Sequence, residues 1–247
     1  LQFGIAPDEP AAMETLPIFR FHSDGWRFRI PGMTRTILRV SHPSFWEEVA
    51  VSVGFLGFFA MIAELGRDAL AAQTAALRLE SFSFNIGFGI SLAAATLVGQ
   101  ALGARSHEGA RRVFSLCVTL AFTLMGIMGV IFALFPDWFL QWFIAEGKDD
   151  FLPLARLVFV LSALEQPFVG SSQVFSGGLR GAGYTLAPFL SQLLGTVAVR
   201  IGLGYYLCFV VGMGLEGLIW ATVFDWVART ILLGAVYYSG RWENVQV

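Results

Sequence analysis

The chain has 247 residues, of which 56% are hydrophobic and only 14% are charged, and its mean hydropathy is +0.67. A soluble domain is usually about 45–50% apolar and about a quarter charged, so the composition excludes an ordinary soluble protein. The formal net charge of −2 excludes the strongly basic surface typical of nucleic-acid-binding proteins. We therefore predict an integral membrane protein whose surroundings are membrane lipid and not nucleic acid.

The first 40 residues differ from the rest of the chain. They contain four prolines and charges of both signs, but no apolar run long enough to cross a bilayer. We interpret residues 1–40 as a cytoplasmic linker that ends in a short amphipathic helix, Met33 to Val40. Because the chain begins at Leu1 and not at methionine, we also expect it to be a piece of a longer parent protein.

Six long apolar segments follow, and a helix needs roughly 20 such residues to cross the hydrocarbon core of a bilayer. They predict an all-α bundle of six transmembrane helices within residues 41–243, followed by a short cytoplasmic tail at 244–247. The first helix is predicted to open at Ser41-His42-Pro43, because proline is tolerated in the first turn of a helix. The predicted spans are about 44–65, 69–103, 110–135, 151–177, 186–209 and 213–238.

The distribution of basic residues predicts how the chain is oriented in the membrane. With six spans both termini lie on the same side, and that side carries ten arginines, whereas the opposite loops carry only Arg67 and Lys148. Cytoplasmic loops are enriched in Lys and Arg, so we predict a multi-pass protein of the inner or plasma membrane with both termini in the cytoplasm. Trp138 and Trp142, set among acidic residues in segment 136–153, indicate a short helix at the outer interface.

Several ionisable side chains fall inside the predicted spans, where they are costly unless they face a cavity or a partner. Asp225 and Arg229 are four residues apart, which predicts a mutually neutralising pair on one face of the sixth span. Arg78 and Glu80 are two residues apart and cannot face each other on a helix. At least one of these two therefore needs another partner or an aqueous cavity.

Three acids are candidates for binding a coupling ion: Glu47 and Glu48 near the start of the first span, and Glu165 in the middle of the fourth. A carboxylate in a dehydrated cavity can take up a proton, and it can equally bind Na⁺ through oxygen. The competing interpretation is an acid solvated at the membrane surface. Among the amide side chains, Asn85 and Gln173 lie deepest and are candidates for a cavity, although most such groups hold helices together.

Other functional classes lack the residues that they need. An intramembrane enzyme needs a nucleophile–base or metal set, yet the three histidines lie in loops or at helix ends and no H-E-x-x-H motif occurs. A channel needs a ring of filter residues, and none is evident. Cys117 and Cys208 lie inside apolar segments without metal-binding spacing. These absences argue against an enzyme and a channel, and we predict no cofactor and no dedicated metal site.

Several short motifs stand at the ends of the predicted helices. Residues 93–110 read AAATLVGQALGARSHEGA, residues 177–185 read GGLRGAGYT, and Arg200 opens the run RIGLGYYLCFVVGMGLEGLIWA. Together with HPSFWEE at the opening of the first span and SGRW after the last, these motifs resemble, in order, those of the multidrug and toxic compound extrusion (MATE) family. Gly99 and Gly103 offer a small-residue face for helix packing.

The resemblance covers about residues 35–243 and implies one six-helix lobe of a twelve-helix transporter. The chain matches helices seven to twelve, so the resemblance implies a missing partner, the N-terminal six-helix lobe of the same parent chain. Residues 1–40 match the linker between lobes, and Gly181 and Gly183 permit a tight turn. The motif residues to which the resemblance gives a structural role are Gly99, Gln100, Gly103, Arg180, Gly181, Gly183 and Arg200.

The resemblance also implies a function: export of cationic or amphipathic organic compounds, such as drugs and toxins, in exchange for H⁺ or Na⁺. The mechanism expected is alternating access around a site between the two lobes, so the chain alone is not expected to transport. The sequence leaves the substrate, the coupling ion and the coupling acid open. The alternative is a flippase or exporter of lipid-linked saccharides from the same superfamily, which would need a strongly cationic cavity, whereas the charges within these spans are balanced.

Overall fold

The structure, a computed structural model, describes the backbone of residues 33–141 and 152–244. Within those ranges the side chains of residues 33–44, 47 and 244 are not described. Contacts divide the chain into two units, Leu1–Leu38 and Arg39–Val247, and the second holds the helical bundle. Residues 1–32 of the predicted linker, 142–151 of the predicted interfacial segment and 245–247 of the predicted tail lie outside the described residues.

The described part of the chain is helical and contains no strand, which confirms the predicted all-α fold. Helix α4 is a single short turn-like helix that begins at a proline, and a 3₁₀ turn at Arg241–Asn244 follows the last helix. The helices are α1 (Met33–Glu64), α2 (Arg67–Gly103), α3 (His107–Leu134), α4 (Pro136–Leu140), α5 (Leu152–Gly181), α6 (Leu186–Val210) and α7 (Leu215–Tyr238).

Five of the described helices, α2, α3, α5, α6 and α7, are long and apolar enough to cross a membrane. They fall on the second to sixth predicted spans. The first predicted span lies within α1, where one prediction is wrong: the structure has a single helix from Met33 instead of a helix ending at Val40 and a new one opening at Ser41. Proline removes one backbone hydrogen bond, a loss that long apolar helices tolerate, so Pro43 does not have to mark a helix start.

Short turns join the spanning helices. The Ser106 side chain caps α3 by accepting a hydrogen bond from the backbone N–H of Gly109 at 3.2 Å, which is the usual role of serine at a helix start. The α5–α6 turn uses Gly183 at φ +80°, and the hairpin before α7 uses Gly212 at +81° and Gly214 at +58°. Glycine adopts this left-handed region without the steric cost that other residues meet there.

Helix α5 is the centre of the bundle and packs against α2, α3 and α7. Its contact with α2 is close because both helices carry glycine: a Cβ placed on Gly99 would lie 3.1 Å from the carbonyl oxygen of Gly181. Small residues let membrane helices approach in this way. Gly103 does not contribute to this helix contact, since no atom lies within 4 Å of its Cβ position. Of the two glycines in the predicted small-residue face, only Gly99 lies at the contact.

Two apolar clusters fill the bundle at opposite ends. One contains Ile62 of α1, Leu79 of α2, Phe159 of α5 and Leu218 of α7. The other contains Val98 of α2, Phe114 of α3, Leu179 of α5 and Leu233 of α7. On α2, α5 and α7 many of the buried residues between these clusters are polar. A polar layer therefore separates two apolar ends.

The end of α7 is fastened to α3 by an aromatic cluster. Trp242 is fully buried, and its indole N–H donates a hydrogen bond of 2.9 Å to the carbonyl oxygen of Tyr237. Its ring lies 5.3 Å from that of Phe114 and stacks at 5.9 Å on that of Tyr237. Arg111 forms an ion pair with Glu243 beside it.

We predict that Trp242→Ala lowers the stability of the protein by about 3–5 kcal/mol, the usual cost of emptying a buried aromatic site. Tyr238→Ala is the matched control because Tyr238 is 85% exposed, and its effect should be below about 0.5 kcal/mol. Thermal unfolding of the purified protein in detergent measures both. Equal melting temperatures for the two variants would contradict the role given to the aromatic cluster.

Candidate functional site

The polar layer joins four spanning helices through side chains that are almost all buried. Gln192 and Arg200 are half-buried, and the other members have at most 7% of their surface exposed. The layer consists of Glu80 and Ser83 on α2; Ser162, Glu165 and Gln166 on α5; Gln192, Thr196 and Arg200 on α6; and Thr222, Asp225 and Arg229 on α7.

Asp225 and Arg229 form the predicted ion pair on one face of α7, and the prediction is confirmed. Arg229 donates through Nε to one carboxylate oxygen of Asp225 at 2.5 Å and through Nη2 to the other at 2.7 Å. It also donates to the side-chain oxygen of Gln192 and, at 3.0 Å, to the hydroxyl of Thr196. A buried charge is tolerable when it is paired and hydrogen-bonded in this way, so Arg229 is held from α6 as well as from α7.

Arg200 brings a second positive charge to the same aspartate. Its Nε lies 2.9 Å from Asp225 Oδ2. Its guanidinium also lies over two rings, 5.5 Å from the centre of Trp226 and 5.9 Å from that of Phe58. The guanidinium of Arg229 also lies over the Trp226 ring, 4.9 Å from its centre. Cation–π contacts gain strength when they are removed from water, so Trp226 positions both arginines.

Glu80 and Glu165 occupy the other side of the layer and are not paired with a cation in the way that Asp225 is. Both are nearly fully buried, at 3% and 4% exposure. One oxygen of each, Oε1 of Glu80 and Oε2 of Glu165, accepts no hydrogen bond from the described residues. The two carboxylates are close enough to repel each other when both are ionised, and Arg200 is close enough to attract both. An unsatisfied buried oxygen costs about 1–3 kcal/mol.

The layer holds more acids than bases. Three carboxylates, Glu80, Glu165 and Asp225, face two guanidiniums, Arg200 and Arg229, which leaves one negative charge in excess when all five are ionised. An unbalanced charge is expensive at membrane depth. The layer is therefore suited to accepting one more positive charge.

The backbone beside the layer has an unusual form. Helix α6 is π-helical over Gly195–Leu203 and Tyr206–Val210. A Cβ on Gly195 would come within 2.5 Å of Nε of Arg229, so glycine is required where α6 passes the ion pair. π-Helical turns are rare and frequently mark functional sites. The sequence offered only a weak signal for this feature, the glycines at 195, 202 and 204.

A sequence model of the MatE family matches residues 43–206 of the chain. The chain belongs to the MatE family. The match covers α2, α3 and α5 and most of α6, and thus all members of the polar layer except those on α7.

Curated relatives agree with the MatE assignment. The chain is 28% identical over 210 residues to a probable multidrug resistance protein NorM of Thermotoga maritima, covering 85% of this chain and 45% of the relative. It is 30% identical over 232 residues to the probable NorM of Brucella suis biovar 1, covering 91% and 48%. The chain therefore spans about half the length of the curated relatives it matches.

Solved structures support the MatE fold. A crystal structure of MATE in the straight conformation superposes with a TM-score of 0.77 at 20% identity, over 86% of this chain and 47% of that one. The chain is thus a multi-pass membrane protein of a family of multidrug efflux transporters.

The residues predicted for the MatE site fall in different places. Glu165 lies in the polar layer. Glu48 is exposed on α1, and the Glu47 side chain is outside the described residues. Asn85 is exposed on α2, where its amide donates to the Ser81 carbonyl oxygen at 2.8 Å. Gln173 is half-buried outside the layer, and its side-chain oxygen accepts no hydrogen bond from the described residues.

Three charged members of the layer are absent from the predicted site residues: Glu80, Asp225 and Arg229. The signal for Glu80 was present, because its spacing from Arg78 required another partner, but the sequence did not say which. Among the motif residues, Gln100 and Arg180 are exposed at the ends of α2 and α5, and Arg200 joins the layer.

We predict that Asp225→Asn lowers stability by about 3–5 kcal/mol, because it leaves two buried guanidiniums without their shared carboxylate. The matched control is Asp137→Asn, since Asp137 pairs with Arg156 at 3.4 Å where both side chains are more than half exposed. Such a pair contributes about 1 kcal/mol or less. Thermal unfolding of the purified variants compares them, and a smaller loss for Asp225→Asn than for Asp137→Asn would contradict the ion-pair account.

Proposed function

We propose that the protein exports cationic or amphipathic organic compounds from the cell, driven by the inward movement of H⁺ or Na⁺. Membership of the MatE family and relatives named as multidrug resistance proteins support the export of such compounds. The coupling ion needs a site that is buried, acidic and incompletely satisfied. The polar layer has these properties.

The observation that carries the proposal is the pair of buried carboxylates, Glu80 and Glu165, each with an oxygen that accepts no hydrogen bond from the described residues. In an alternating-access cycle such a pair binds a cation from the side where it is abundant and releases it on the other. We propose Glu165 as the principal coupling acid with Glu80 as its partner. Glu47 and Glu48 on α1 are a second proposed location for coupling.

The substrate path is proposed to run along the outward face of α2. Arg78, Ser81, Asn85, Thr96 and Gln100 are exposed and recur at whole helical turns on that face. Among these polar residues α2 also exposes the apolar side chains of Phe82, Phe88 and Leu92, and the exposed residues of α3 include a long apolar series suited to lipid: Leu116, Leu120, Ile127, Val130 and Leu134. Polar groups at membrane depth usually face protein or a water-filled cavity, so we propose that a second lobe of the full-length protein covers the α2 face and encloses a cavity.

We further propose that the protein lies in the plasma membrane with both ends of this chain in the cytoplasm. Exposed arginines gather at one end of the bundle, where α2 and α5 end and α3 begins: Arg105, Arg112, Arg180 and Arg241. At the opposite end, the exposed Arg156 is accompanied by the acid Asp137. The positive-inside rule favours this orientation.

The test is efflux of ethidium from cells that express the full-length protein, with pH and Na⁺ gradients imposed separately. We expect Glu165→Gln and Glu80→Gln each to lower gradient-driven efflux by about tenfold or more, because a carboxamide takes up no proton and lacks the negative charge that attracts Na⁺. Glu47→Gln and Glu48→Gln test the second proposed location in the same assay. Glu216→Gln is the control, since Glu216 is exposed at the start of α7, and it should leave efflux unchanged.

The outcomes separate the competing functions. If the wild type moves no dye under either gradient although the protein is present in the membrane, the export proposal is wrong and transport of a lipid-linked saccharide becomes the leading function. If the wild type moves dye and neither Glu165→Gln nor Glu80→Gln differs from Glu216→Gln, export stands but the polar layer is not the coupling site.

A further inference from the structure

The two arginines of the polar layer are held very differently. Arg229 makes four hydrogen bonds, two to Asp225 and one each to Gln192 and Thr196. Arg200 has one ion-pair contact among the described residues, to Asp225, and its Nε–H does not point at the oxygen 2.9 Å away. Asp225 is already occupied on both oxygens by Arg229. Arg200 is therefore the cation in the layer that can form an ion pair with another acid.

The other acids lie within its electrostatic reach. Arg200 attracts both Glu80 and Glu165, each of which has a buried oxygen without a hydrogen-bond donor among the described residues. The charged groups that face Arg200 in the described part of the chain are Glu80 from α2, Glu165 from α5, and Asp225 and Arg229 from α7. On the α1 side, Arg200 lies over the ring of Phe58.

From this arrangement we infer that Arg200 makes the polar layer a proton site and not a sodium site. The inference deepens the proposed function and rests on its cation coupling. Arg200 is a positioning residue: it supplies a resident positive charge beside Glu80 and Glu165, in the place that a bound Na⁺ would have to share.

A sodium ion fits this layer poorly for two reasons. Hard cations need a cage of several oxygen ligands, and no three acidic, histidine or cysteine side chains of the described residues converge closely enough to hold a metal, so most of a cage for Na⁺ would have to come from neutral oxygens. The guanidinium of Arg200 would also repel a second cation placed between it and the acids, and that repulsion is strong where water is excluded.

A proton fits the same layer well. Bound to a free oxygen of Glu165 or Glu80, it forms an O–H bond and turns an unsatisfied acceptor into a donor that the neighbouring carboxylate can accept. It also balances the layer, because two remaining carboxylates then face two guanidiniums. When the proton leaves, Arg200 moves towards the Glu80–Glu165 pair, and when a proton returns, Arg200 reverts to Asp225.

The test uses the purified full-length protein and two readouts. The first is binding of radioactive Na⁺, which needs no substrate. We expect no Na⁺ binding to the wild type above that of Glu165→Gln. Arg200→Gln leaves three carboxylates facing one guanidinium, and at alkaline pH these carboxylates are not protonated. Under that condition we expect Arg200→Gln to bind Na⁺, and we expect the double variant Arg200→Gln/Glu165→Gln not to bind it. Arg200→Lys keeps the charge and should resemble the wild type.

The second readout is dye efflux in proteoliposomes. A pH gradient should drive the wild type and an imposed Na⁺ gradient should not. Arg200→Gln should lose about tenfold or more of the pH-driven rate, since a buried charge set has lost one member, and Arg200→Lys should retain most of it. The matched control is Arg156→Gln, because Arg156 is more than half exposed beside Asp137, and it should change neither readout.

The inference is overturned if the wild type binds Na⁺ in a manner that Glu165→Gln abolishes. The inference is also overturned if Arg200→Gln gains no Na⁺ binding at alkaline pH. It is likewise overturned if the pH gradient drives dye efflux by Arg200→Gln at the wild-type rate. Failure of the proposed function looks different, because a wild type that moves no dye under either gradient refutes drug export while the Na⁺ measurement still decides the role of Arg200.

Discussion

The carboxylate of Asp225 holds together the polar layer, in which we propose that the coupling ion binds. It accepts two hydrogen bonds from Arg229 one turn further along α7, and it draws Arg200 in from α6. Arg229 depends on this carboxylate at its depth, because an unpaired charge in a bilayer-spanning bundle is costly. With both arginines in place, the layer can also carry two further acids, Glu80 and Glu165, on α2 and α5.

The apolar clusters at the two ends of the bundle strengthen the electrostatic interactions within the polar layer. They keep the layer away from water on both sides, so that each charge acts strongly on its neighbours. Close contact between α2 and α5 at Gly99 and Gly181 seals one end, and the aromatic cluster around Trp242 fastens the same end of α7. An acid in such a place gains or loses a cation only when the bundle opens, and this is the property that a coupled transporter requires.

The sequence predicted those features that depend on neighbours along one helix. Apolar blocks of spanning length predicted the helices, and a separation of four residues predicted the pair of Asp225 and Arg229. The depth and polarity of Glu165 marked it as a candidate. What could not be predicted was which residues meet across helices: that Glu80 faces Glu165, or that Arg200 reaches Asp225, depends on how α2, α5, α6 and α7 pack.

The remaining differences have local causes. Proline predicted a helix start at Pro43, but α1 has its first residue at Met33, because the loss of a single hydrogen bond does not stop a helix. The π-helical geometry of α6 had no periodic signature in its residues and became visible only in the backbone.

We propose that the polar layer carries one exchangeable proton on Glu80 or Glu165. Infrared difference spectroscopy of the full-length protein between acid and alkaline pH tests it directly, because a buried protonated carboxyl group has a C=O band that a carboxylate lacks. The account predicts such a band, lost at alkaline pH and altered or absent in Glu165→Gln and Glu80→Gln. A spectrum without it, or with a band that neither substitution changes, would contradict the account.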